Sequence, residues 1–144
     1  MLLSICRFLV LLISYLSGAV LATHAMEADD QIEVDLILHS DELADEQSIW
    51  VGFQIQLAPG WHIYWKNAGE SGYPTTVEWE LPKGWKAGTL QFPAPYLYEH
   101  EGMTGYALEN NFTLLTKLNA PLQVDESVDF EVNLDALVLS LIHI

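Results

Sequence analysis

Four histidines follow residue 25 of the chain, His39, His62, His100 and His143, and His100 stands three residues from Met103. Imidazole with thioether suits copper, so His100 and Met103, set between Glu99, Glu101 and Gly102, form a thin candidate copper site. The carboxylate pair Glu78/Glu80 follows a two-residue period, which describes a solvated strand face better than an acid–base dyad. All five tryptophans lie between Trp50 and Trp85; an exposed one would stack on sugars, a buried one would fill a core. Cys6 is the only cysteine, which excludes an internal disulfide and a multi-cysteine zinc site. No Ser/His/Asp set, phosphate loop or metal-ligand spacing is present. On residues alone, catalysis is unsupported.

These side chains sit in a strongly acidic chain of 144 residues with 5 Lys+Arg, 20 Asp+Glu and a formal charge of −15. That balance argues against nucleic acid as a partner. The length suits one domain, and 51% hydrophobic with 11% aromatic residues is a globular composition. Residues 1–25 differ from the rest. Arg7 is their only charged side chain, and the apolar run Phe8 to Ala22 is short for a membrane span and ends in small residues. This is the pattern of a secretory signal peptide, with cleavage after Ala22 or Ala25. Export would place the remainder, which has no cysteine, in an oxidising compartment.

The rest of the chain has the period of strands. Ile49, Val51, Phe53, Ile55 and Leu57 alternate with polar or small residues, apart from Trp50, over Ser48 to Leu57. Val128, Phe130, Val132, Leu134 and Ala136 do the same, as do Ile32, Val34, Leu36 and Leu38, and Phe112, Leu114, Thr116 and Leu118. Shorter candidates are Trp61 to Lys66, Thr75 to Glu80 and Trp85 to Phe92. In the first of these, Trp61 and Trp65 share a face and are expected to fill the space between two sheets. Turn signals such as Ala58-Pro59-Gly60 and Leu81-Pro82-Lys83-Gly84 separate the runs. Short strands at this spacing predict an all-β antiparallel sandwich. Asp41 to Gln47 reads as a solvated loop or one helical turn, and Pro93 to Asn111 is the longest stretch without a clear strand.

The segment Leu57-Ala58-Pro59-Gly60-Trp61-His62-Ile63-Tyr64-Trp65-Lys66-Asn67-Ala68-Gly69-Glu70-Ser71-Gly72-Tyr73-Pro74-Thr75 resembles one family: the N-terminal periplasmic domain of DsbD-like protein-disulfide reductases, including the ScsB-type copper-tolerance branch. The resemblance continues through Val77 to Trp85, Gln91 to Pro95 and Gly105-Tyr106, and spans about Gln31 to Val138. It implies an immunoglobulin-like sandwich, residues 26–138, behind the signal peptide. It also implies a thiol:disulfide interchange protein that passes reducing equivalents from a membrane domain to periplasmic thiol/disulfide proteins. The partners implied are those proteins and the parent's own membrane and thioredoxin-like domains; no cofactor or metal is implied. The chemistry uses two thiols, one to attack a partner disulfide and one to resolve the mixed disulfide.

By the resemblance, the first of those cysteines directly follows the position of Val138. Here Leu139 follows instead, and Leu139 to Ile144 breaks the alternation and can be read back into a common sequencing-adapter end. Residues 139–144 are therefore expected to be a non-native tail on a fragment that lacks its cysteine pair. No catalytic residue is assigned, and the chain as written is expected to have no reductase activity. The family's capping loop corresponds to Tyr98, Glu99, His100, Glu101 and Met103, which would shield a thiol from water. The alternative reading is a cysteine-free periplasmic binding module for copper or glycan. A purely structural sandwich that docks by its edge strands is a third.

Overall fold

The computed structural model describes residues 3–14, 30–40, 48–70, 72–100, 102–123 and 127–140. Ten strands make up the described fold: β1 (Leu3–Ser14), β2 (Ile32–Ser40), β3 (Ser48–Leu57), β4 (Trp61–Gly69), β5 (Thr76–Glu80), β6 (Lys86–Ala87), β7 (Tyr96–His100), β8 (Met103–Glu109), β9 (Asn111–Asn119) and β10 (Ser127–Ser140). They form two antiparallel sheets. One has the order β2-β3-β9-β6; the other has the order β1-β10-β4-β8-β7, with β5 also paired to β10. No helix occurs among the described residues, and therefore none long and apolar enough to cross a membrane.

The alternating runs become the inner faces, because a period of two puts every second side chain on one side of a pleated strand. Ile32, Val34, Leu36, Val51, Phe53, Ile55, Leu57, Leu114 and Leu118 come from one sheet. Ile63, Leu108, Phe130, Val132, Leu134, Ala136 and Val138 meet them from the other. Phe53, Val51, Ile55, Ile63 and Leu114 are fully buried, each worth about 1.5–3 kcal/mol by removal from water. Trp79 joins this core with its ring tilted by 54° to both neighbours, its centroid 6.0 Å from Phe53 and 5.8 Å from Phe130. The all-β sandwich expected from the sequence is thus the observed architecture.

Three local expectations turn out differently or only in part. Pro93 to Asn111 is not strand-free: it contains the whole of β7 and β8, a hairpin with Tyr96 opposite Ala107 and His100 opposite Met103. No alternation announces β8, because its two faces are both covered; Ala107 and Leu108 point in opposite directions and are both buried. Trp85 to Phe92 yields only the two-residue β6 and an isolated bridge between Gln91 and Leu115, with Gly88 interrupting the run. Trp61 and Trp65 pack on the core only half-buried, while Ile63 between them is the residue fully enclosed. Strand β10 extends to Ser140, with Leu139 opposite His62 and Ser140 opposite Trp61. The N-terminal run Leu3–Ser14 lies along β10 from Ser127 to Leu137. The acidic segment 41–47 lies outside the described residues.

Candidate functional site: a histidine–tyrosine face beside residue 139

The outward side of β4 is where the sandwich departs from a solvated surface. His62 and Tyr64 point away from the core, yet they are only 4% and 5% exposed. What covers them is aromatic. Neighbouring strands place Leu139 of β10 and Glu109 of β8 directly across from His62, and Ala107 across from Tyr64. Directly opposed residues share a face, so one side of this sheet carries Leu139, His62, Tyr64, Glu109 and Ala107. Through the β7–β8 pairing, Tyr96 and Tyr98 lie on it as well.

Small residues on β8 let the tyrosines of β7 reach β4. A Cβ on Gly105 would run into the Tyr98 ring, so only glycine allows that ring to cross β8. The Tyr98 hydroxyl then donates to the Tyr64 hydroxyl at 2.9 Å. Its ring lies 5.5 Å from His62, 6.2 Å from Tyr64 and 6.3 Å from Tyr96. His62 meets Tyr64 edge-on at 5.5 Å and 86°, an arrangement aromatic rings favour. The loop after β4 closes the remaining side. Thr75 donates its hydroxyl proton to the Tyr64 carbonyl at 2.6 Å. The Glu70 carboxylate accepts the Thr104 N–H at 2.9 Å, while the Glu70 N–H donates to the Thr104 carbonyl at 3.1 Å.

Two groups in this cluster are buried without compensation. Neither ring nitrogen of His62 has a hydrogen-bond partner among the described residues, and neither does the Tyr96 hydroxyl. A buried polar atom without a partner costs on the order of 1–3 kcal/mol. Burial lowers the His62 pKa below its ordinary value, so the ring is neutral near pH 7. Burial and then the hydrogen bond to Tyr98 push the Tyr64 hydroxyl well up, and burial with the nearby Glu109 charge raises Tyr96 to about 12.

Of the capping residues expected from the sequence, Tyr98 is brought into this cluster. Glu99 is exposed, and Met103 is exposed at the hairpin tip, where Gly102 turns the chain with φ 79°. His100 is paired in register with Met103, and Glu101 lies outside the described residues. No group of three or more His, Cys, Asp or Glu among the described residues is placed to hold a metal ion. The sequence reading missed His62, Tyr64 and Tyr96 as parts of a site. The available signal was on β4, whose outward positions 62 and 64 carry ring side chains rather than charges. Trp50, the candidate stacking platform, is half-buried on β3 between His39 and Lys117.

The sequence matches the family described as thiol:disulfide interchange protein DsbD, N-terminal, over residues 33–138. Among solved structures, the N-terminal periplasmic domain of ScsB from Proteus mirabilis is similar, with a TM-score of 0.58 at 17% identity. The alignment covers 78% of this chain and 42% of that one, so this chain spans less than half of that structure's length. At that identity the likeness is one of fold. No curated protein matches the chain.

Proposed function

The chain belongs to the family of DsbD N-terminal domains, and on that premise we propose that it is the substrate-facing domain of a periplasmic thiol:disulfide interchange protein. In this reading residues 1–25 are an export leader and the sandwich that follows works in the periplasm. The parent protein draws reducing equivalents from a membrane domain and delivers them to periplasmic disulfides through this domain, as a protein-disulfide reductase of the copper-tolerance or a related branch.

One observation carries the reading. Position 139, where the resemblance implies the first cysteine, lies on β10 directly across from His62 and therefore on the aromatic face that Tyr98 covers. A thiol there would share its face with a buried neutral imidazole and a hairpin that can shield it. Leu139 supplies no sulfur, and the only cysteine of the chain is Cys6, so these 144 residues by themselves cannot carry out dithiol exchange.

A cysteine placed at that position tests the reading. Leu139→Cys, in a chain with Cys6→Ser, is mixed with a thioredoxin-fold protein whose single thiol carries thionitrobenzoate. The thiolate introduced at position 139 attacks the protein-side sulfur, a protein–protein disulfide forms, and the thionitrobenzoate thiolate leaves and is read by its absorbance. Leu122, 94% exposed and remote in sequence from the face, gives the control Leu122→Cys. Coupling of the Leu139→Cys chain several-fold faster than that of the Leu122→Cys chain supports the proposal. Equal or slower coupling overturns it.

A further inference from the structure

We propose that His62 is a proton-operated latch for the β7–β8 hairpin: neutral, it stays buried against Tyr98 and Tyr64 and the hairpin lies closed; protonated, it leaves that site and the hairpin lifts from β4. The inference concerns the regulation of the face described above, and it holds whether or not that face serves thiol chemistry.

The argument starts from what surrounds the ring. On β4 the nearest titratable group is Tyr64, on β7 it is Tyr98 with Tyr96 behind it, and on β8 it is Glu109; β10 offers Leu139. As the ring sits, none of the three tyrosine hydroxyls accepts a hydrogen bond from it. Both imidazole nitrogens are unpartnered among the described residues, and the ring is 4% exposed. A charge there would be cut off from solvent with no hydrogen-bond partner on either nitrogen, an arrangement folded proteins avoid by moving the group or keeping it neutral. The one opposite charge in register is the exposed Glu109. An imidazolium that turns toward Glu109 and water vacates the space beneath Tyr98, and the aromatic cluster loses its centre.

The direction in pH follows from linkage. His62 in the closed hairpin has its pKa lowered by burial, whereas in the open hairpin it regains an ordinary value near 6.5. The closed state is therefore fully favoured above about pH 6.5 and loses stability as pH falls below it. A single proton taken up on opening makes the opening constant rise by at most about tenfold per pH unit in that window.

Hydrogen exchange of the full chain, corrected for intrinsic rates and followed from pH 7.5 to pH 5, tests this. Amides of residues 96–109 should open progressively as pH falls, while those of Val51, Phe53 and Ile55 in β3 keep their protection. His62→Phe, which fills the site without titrating, should make the hairpin response flat. A hairpin unaffected by pH, an unchanged response in His62→Phe, or β3 opening in step with the hairpin would each overturn the latch. Should that variant fail to fold, the imidazole resonances of wild-type His62 decide: their titration midpoint must coincide with that of hairpin opening, and separate midpoints refute the proposal.

Discussion

At the residue scale the molecule's most consequential contact is between two hydroxyls. Tyr98 donates to Tyr64 across a strand, and this side-chain bond joins the hairpin to β4. Replacing Tyr98 with Phe keeps the ring contact with His62 and removes only the donor, leaving the buried Tyr64 hydroxyl without that partner. The expected loss is about 1 kcal/mol, the usual worth of a neutral hydrogen bond, read as a lower urea midpoint with an unchanged slope. An unchanged midpoint would show that water serves Tyr64 as well as Tyr98 does. The sequence reveals the residue but not its role: the resemblance makes Tyr98 a cap that shields a thiol by bulk, whereas the fold uses its hydroxyl and the space left by Gly105. Nothing in a linear pattern reports that a ring on one strand crosses a glycine on the next.

At the scale of elements, the legible strands are those with one buried face. β2, β3, β9 and the body of β10 are visible because their outward positions are mostly polar, so the period of two survives in the sequence. β7 and β8 are hidden for the opposite reason. Tyrosines give the outward face of β7 polar-tipped rings in place of charges, and β8 is covered on both sides, so neither strand shows a contrast. β5 and β10 carry a different signature, a conflict that only the pairing reveals. Glu80 lies directly opposite Glu131, two positions along from Glu78 opposite Asn133. Like charges facing each other across an antiparallel pair destabilise it. Glu80→Lys should therefore stabilise the fold by roughly 0.2–1 kcal/mol, with a gain that shrinks as salt is added. A loss of stability, or a gain that salt leaves untouched, would mean that these carboxylates are too solvated to interact.

At the scale of the whole molecule, charge and sheet edge oppose each other. The acidic excess, 20 Asp+Glu against 5 Lys+Arg, is carried partly by β10, where Asp129, Glu131 and Asp135 occupy positions between the buried Phe130, Val132, Leu134 and Ala136. Along Ser127 to Leu137 that strand has β1 on one side. Removal of residues 1–25, as an export leader would require, takes β1 away and bares a row of backbone donors and acceptors, a template for another strand. Two copies pairing there in antiparallel fashion would bring the same three carboxylates of each together, so charge is what keeps the edge from being used. The chain of residues 26–144 should then be monomeric at about 0.01 M salt, where charges act over roughly 30 Å, and associate toward 1 M, where they act over about 3 Å. Sedimentation equilibrium across that range measures it directly. Glu131→Lys, which lowers the repulsion on that strand, should move the onset to lower salt. A mass that stays constant across the range in both proteins would mean that something other than charge closes the β10 edge.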